Sequence, residues 1–319
     1  MSGSPTLPPS VEFKDRRTGL IAYGWLEIVL GGLCALMVPL LFFALTLVPP
    51  TSGGPDSRVT GVAAMAYGVL AAALVWLGIG SILCRRWARA LLLILSWGWF
   101  LAGILALGFY AVFAGALFSR DAGNPLGLLA LTIGIIFIAI FFVALPGAMV
   151  LFYQSHNVKA TCEARDPVVR WTDTCPLPVL ASSLWLGLGS LCLMVMPLLY
   201  RSVVPWFGSL LSGAPATLIL LVCAVFGLYL AWATYRRQLA AWWAALVAFA
   251  LLTASAVITF MRVDLMEVYR QLGYPEDQIE QIRNFGLFTG KAMAWWTGLF
   301  FVMFLIYLLW IKKYFDRRV

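Results

Sequence analysis

Eight stretches of this chain, 19–47, 61–84, 90–118, 125–153, 176–200, 213–235, 238–261 and 287–311, are apolar over about 20 residues or more, enough as helix to cross roughly 30 Å of hydrocarbon. A backbone in lipid must satisfy its own N–H and C=O groups, and a helix does so within one segment. The runs therefore predict an all-α integral membrane bundle of eight transmembrane helices. Composition agrees: with 62% hydrophobic and 11% charged residues, the chain has too few polar side chains to cover a water-soluble globule.

One apolar run occurs twice. Residues 20–41 read LIAYGWLEIVLGGLCALMVPLL and 178–199 read PVLASSLWLGLGSLCLMVMPLL, matching at an offset of 158 through Leu26/Leu184, Leu30/Leu188, Gly31/Gly189, Leu33/Leu191, Cys34/Cys192, Pro39/Pro197, Leu40/Leu198 and Leu41/Leu199. A second register pairs Arg85-Arg86 with Arg236-Arg237 at an offset of 151. Two related four-helix halves follow, 19–153 and 176–319, joined by a linker at 154–175. Four is an even number, so both halves enter the membrane from one side. That predicts a parallel repeat about the membrane normal. The Pro- and Ser-containing segment 1–18 reads as a disordered cytoplasmic leader, and the first span as an uncleaved anchor.

The net charge of +8 sorts by side. With this topology fifteen Lys and Arg residues lie with the termini and seven opposite, which predicts cytoplasmic termini. The partner implied by this charge is the lipid bilayer and its anionic headgroups, with no nucleic acid. On the outer side, 262–290 is far longer than the matching turn at 119–124. Its apolar Leu265, Met266, Val268, Tyr269 and Leu272, then Ile279, Ile282 and Phe285, predict two amphipathic helices broken at Gly273 and Pro275. They form either a cap on the bundle or a docking surface for a membrane-protein partner.

Glu27 is the carboxylate deep in a predicted span, where an acid must face the bundle or water. Gly24, Gly31 and Ala35 share its helical face, and small residues let a second helix approach. Two readings stand, a proton or cation site and a protonated or hydrogen-bonded strut at a helix contact. Its repeat counterpart is Trp185, so no symmetrical ion site is expected. Pro146-Gly147 should weaken the fourth span, and Pro39 and Pro197 should kink the first and fifth. Ser255 and Thr259, four apart, are expected to bond helix to helix or to bind a solute. Trp25, Trp87, Trp206, Trp242, Trp243, Trp295, Trp296 and Trp310 fall near span ends as an interfacial belt.

His156, Cys162 and Cys175, with Glu163, Asp166 and Asp173, are the linker's metal-capable residues, but their spacing matches no usual zinc clip. Reduced thiols and no bound metal or cofactor are expected. No Walker loop, H-E-x-x-H, G-x-S-x-G with partners or dinucleotide fingerprint is present, so no catalytic residue is assigned.

The segments RTGLIAYGWLEIVLGGLCALMVPLL, YQSHNVKATCEARDP and RWTDTCPLPVLA make the chain resemble an uncharacterised family of bacterial polytopic membrane proteins. The resemblance implies inner-membrane placement and carries no activity, ligand or site. Function is expected to be that of a non-enzymatic membrane subunit or scaffold, because polar chemistry in the spans is sparse. The alternative is a transporter or channel for a small or lipophilic solute using Glu27, and the third is an intramembrane lipid-modifying enzyme.

Overall fold

A computed structural model describes residues 13–47, 57–120, 125–199, 201–274, 276–285 and 289–315. Most of the leader (1–12), most of the turn at 119–124, Pro275 and the last four residues lie outside them. Twelve α-helices are present among the described residues: α1 (Arg17–Leu47), α2 (Ser57–Ile82), α3 (Arg86–Arg120), α4 (Pro125–Ile138), α5 (Leu145–Gln154), α6 (His156–Arg165), α7 (Leu177–Leu199), α8 (Ala214–Tyr235), α9 (Leu239–Arg262), α10 (Leu265–Leu272), α11 (Glu276–Phe285) and α12 (Gly290–Ile311). Eight helical segments are long and apolar enough to cross a membrane, with α4 and α5 forming one continuous segment from Pro125 to Gln154. Many of their large apolar side chains are exposed, Leu151 and Trp295 among them, the surface a lipid solvent accepts and water does not.

The expectation of helix alone misses one element. A two-stranded antiparallel hairpin, β1 (Val203–Trp206) and β2 (Ser209–Ser212), fills the connection between α7 and α8. Its turn places Phe207 at φ 40° and Gly208 at φ 100°, the two left-handed positions a tight two-residue hairpin demands.

The chain divides into two compact units, Met1–Leu107 with Gly134–Thr174, and Gly108–Ile133 with Cys175–Val319. In the first, α1 lies along α2, and α6 folds the linker back on the start of α1. In the second, α7 pairs with α8, α9 with α12, and the hairpin lies against α8 and α9.

The α2–α3 and α8–α9 turns are built alike. In the first, Leu83 N–H donates to Ile79 O, Cys84 N–H to Ser81 O, Arg85 N–H to Gly80 O and Arg89 N–H to Arg85 O. In the second, Arg236, Arg237, Gln238 and Trp242 donate to Trp232, Thr234, Ala233 and Gln238 in the same pattern. Each is a Schellman end, with its left-handed residue Cys84 (φ 53°) or Arg237 (φ 56°) in place of the usual glycine. The bonds superpose at an offset of 153, not the 151 that aligns the arginine pairs. Backbone geometry, not charge identity, sets the correspondence.

Around Pro146 the fourth span takes a single wide turn, a π-helix over Ala139–Ala144. Proline has no N–H for the carbonyl of Phe142 four residues earlier, and a wide turn relieves the clash between its ring and that carbonyl. The same carbonyl lies against Gly103 of α3, where any Cβ would collide with it. Pro39 and Pro197 sit inside α1 and α7 without ending them.

Candidate functional site

The buried residues of α1 are Leu20, Gly24, Glu27 and Gly31, spaced by four, three and four along one face. Ala35, expected on that face, is exposed. Glycine is required here by proximity. A Cβ at Gly24 would stand 2.6 Å from Ile82 Cγ1 and 2.7 Å from the Gly78 carbonyl oxygen. One at Gly31 would meet Val75 Cγ2 at 2.8 Å, and one at Gly78 of α2 would meet the Gly24 carbonyl oxygen at 2.6 Å and Glu27 Cβ at 3.2 Å. Three missing side chains thus bring the two backbones together around Glu27.

Glu27 is 0% exposed, and neither Oε1 nor Oε2 has a hydrogen-bond partner. No positive charge among the described residues bears on it. Glu27 thus makes no hydrogen bond in this geometry, which leaves the protonated strut and the proton or cation site as its two readings. Toward the α5–α6 end of the same unit lies a polar pair that sequence reasoning did not single out. Ser81 Oγ donates to the Leu20 carbonyl at 2.9 Å and lies 3.0 Å from Tyr153 Oη, both side chains being buried. Tyr23 of α1 packs on Tyr153 and Phe152 with ring centroids 5.9 and 4.7 Å away. Tyr23 lies one helical turn before Glu27, so its packing on Tyr153 brings that ring to the Glu27 end of the seam. A serine at the end of an apolar helix and a tyrosine opposite it were visible in the sequence, but only packing joins them.

The matching face of α7 carries no acid. Ser183 Oγ donates to the Ala231 carbonyl at 2.7 Å, and Ser190 occupies the space left by Gly227 of α8. Trp185, the sequence counterpart of Glu27, is 43% exposed, and Gly189 is exposed too. The offset of 158 therefore places an outward residue opposite an inward one.

Ser255 and Thr259 of α9 are both buried, and neither bonds to another span. Phe207 N–H donates to Ser255 Oγ at 3.0 Å, and Ser255 Oγ in turn donates to the Pro205 carbonyl at 2.9 Å. Gly208 N–H donates to Thr259 Oγ1 at 2.9 Å. The two hydroxyls hold the hairpin turn to α9, correcting the expected helix-to-helix role.

The linker is ordered as well. Ser155 caps α6 by accepting from Val158 N–H at 3.4 Å. Asp166, 1% exposed, accepts from Arg86 N–H at 3.3 Å and Arg85 Nη1 at 3.4 Å. Arg86 Nε is 3.4 Å from Asp173, and Arg16 N–H donates to Thr161 Oγ1 at 3.0 Å. The Arg165 guanidinium, 2.8 Å from Asp15, holds that carboxyl below the usual carboxylate range. Cys162 and Cys175 are free and buried, and burial pushes their thiols up to about 12 and about 11. No group of three or more His, Cys, Asp or Glu side chains placed to hold a metal occurs among the described residues.

In the segment 262–290 α10 and α11 form as the apolar spacing predicts. Leu265, Met266 and Ile279 make a small core with Phe260 of α9 and Met293 of α12. Asp264 caps α10 through Met266 N–H at 3.1 Å, and Gly273 ends it at φ 91°. Arg270 ties the helices together through Glu267 at 2.7 Å and Glu276 at 2.9 Å. Of the expected tryptophan belt, Trp242 is an interior strut whose Nε1 donates to the Leu308 carbonyl at 2.8 Å.

Compared with known proteins, the chain matches no family model, no curated protein and no solved structure.

Proposed function

We propose that the protein is a multi-pass membrane subunit or scaffold without enzymatic chemistry of its own, built from two four-helix halves that enter the membrane with the same polarity. One observation carries the functional part: apart from the Glu27 carboxyl, the polar side chains whose bonds are seen within the spans are largely spent on the chain's own backbone. Ser81, Ser96, Thr132, Ser183, Ser190, Thr297, Trp242 and Tyr307 all donate to main-chain carbonyls. A reactive site would hold such groups free or aimed at a common point. The twin Schellman turns support the duplication, and the charge count supports cytoplasmic termini. The α10–α11 cap is the surface offered to a membrane-protein partner.

Purification in mild detergent followed by mass spectrometry of bound proteins and lipids tests this reading. A stoichiometric protein partner is the expected result, and a retained small solute with no partner would overturn it. A second reading, transport of a small or lipophilic solute, is favoured by the unpartnered carboxyl of Glu27. It requires pH-dependent flux in proteoliposomes that Glu27→Gln abolishes.

A further inference from the structure

A fully buried carboxyl with no hydrogen-bond partner is expensive to keep, and an ionised one without a counter-charge far more so. Glu27 is in that position, so its resting form is the un-ionised acid. A metal cation does not suit the site. Sodium-like or divalent ions take several oxygen ligands, whereas across the seam Gly78 faces Glu27, with Ile82 against Gly24 and Val75 against Gly31 on either side. A proton needs one oxygen.

The surroundings are unequal along the helix axis. Toward α5 and α6 stand the buried hydroxyls of Ser81 and Tyr153, in mutual contact. In the other direction the buried residues of α2 are Leu77, Leu74, Ala71 and Ala64, with no buried hydroxyl until Thr60; the Tyr67 phenol between them is on an exposed residue. From α2 the hydroxyl of Ser81 is the polar side chain nearest this seam, α5 contributes the phenol of Tyr153, and α1 contributes Tyr23; no Lys, Arg, Asp or other Glu bears on the acid.

We propose that Glu27 is a proton-binding site inside the membrane span, exchanging its proton with water at the α5–α6 end by way of Tyr153 and Ser81. The exchange is a simple acid–base step: the carboxylic O–H bond breaks, the proton passes to water along the hydroxyl pair, and the carboxylate takes one back. This site stands whether the protein is a scaffold or a transporter. In a scaffold it makes assembly pH-sensitive, and in a transporter it is the coupling acid.

Infrared spectroscopy of the full chain in lipid, wild type against Glu27→Gln, tests it. The expected result is a carboxylic C=O stretch that is absent from Glu27→Gln, shifts on transfer to D2O, and disappears reversibly as bulk pH is raised. Labelling by the hydrophobic dicyclohexylcarbodiimide, mapped by mass spectrometry, should occur at Glu27, decline over the same pH range, and be unaffected by sodium. Ser81→Ala with Tyr153→Phe should keep the band but slow its deuterium shift by about tenfold or more, the scale of a positioned proton-transfer group. A band that never shifts or titrates would show a sealed acid, and its absence at every pH would show a carboxylate. Either overturns the proposal. Sodium protection would overturn the choice of proton, and an unchanged exchange rate in the double variant would overturn the route. Failure to find flux or a protein partner bears on the proposed function alone.

Discussion

Glu27 and the glycines around it set opposite demands on the same seam. The carboxyl makes no bond that a substitution could remove, so Glu27→Gln should change stability by less than about 1 kcal/mol. Gly78→Ala forces a methyl against the Gly24 carbonyl oxygen and should cost about 1–3 kcal/mol. Unfolding of both variants by SDS in mixed micelles reads the difference, and a large loss in Glu27→Gln would mean the acid is a strut after all. Cys162 gives a pH-dependent counterpart outside the spans. Burial pushes its thiol up to about 12 from an ordinary value of about 8.5, so folding favours the neutral form. Its contribution is complete below about 8.5 and is lost as pH climbs toward about 12. Iodoacetamide at pH near 8 should therefore spare Cys162 in the folded protein and modify it after unfolding, as peptide mass mapping would record.

Elements in this protein are joined by side chains that cap backbone rather than by long loops. The β1–β2 hairpin is the clearest case, because a two-stranded ribbon alone is marginal and this one rests on two hydroxyls of α9. Ser255→Ala and Thr259→Val should each leave a backbone N–H of the turn unpaired, at about 1–3 kcal/mol apiece. Because both act on one turn, their combined effect should fall short of the sum, which a double-mutant cycle in the same unfolding assay will show. The linker follows the same logic, with Asp166 closing the α2–α3 turn through Arg85 and the Arg86 N–H. The outer cap follows it again through Asp264 and Arg270.

For the whole molecule the decisive quantity is the sidedness of its ends. Eight spans return the chain to the side on which it began, and the basic excess with the termini argues that this side is cytoplasmic. Reporter fusions after Tyr314 and within 154–175 should both report the cytoplasm, and an insertion in 276–285 the outer face. A split result would end the model of halves with common polarity.

Span positions were legible in the sequence to within a few residues, since burying backbone in lipid demands long uninterrupted apolar helices and little else. The two outer helices were legible for a related reason: Leu265, Met266 and Ile279 recur at helical spacing between cap and break residues. A weakening at Pro146 was foreseen, but not the wide turn that absorbs it. Other features waited on the tertiary structure. The left-handed ends at Cys84 and Arg237 carry no glycine to announce them, and the hairpin at 203–212 is too short and apolar to be told from helix by pattern. Ser255 and Thr259 gave no sign of their partners, because a hydroxyl's role depends on which backbone group arrives opposite it. Glu27 shows the division most plainly. Its place in a span, with Gly24 and Gly31 beside it, was written in the chain, whereas its lack of a hydrogen-bond partner and its nearness to Ser81 and Tyr153 are consequences of how α1, α2 and α5 pack, a matter of contacts between residues distant in sequence.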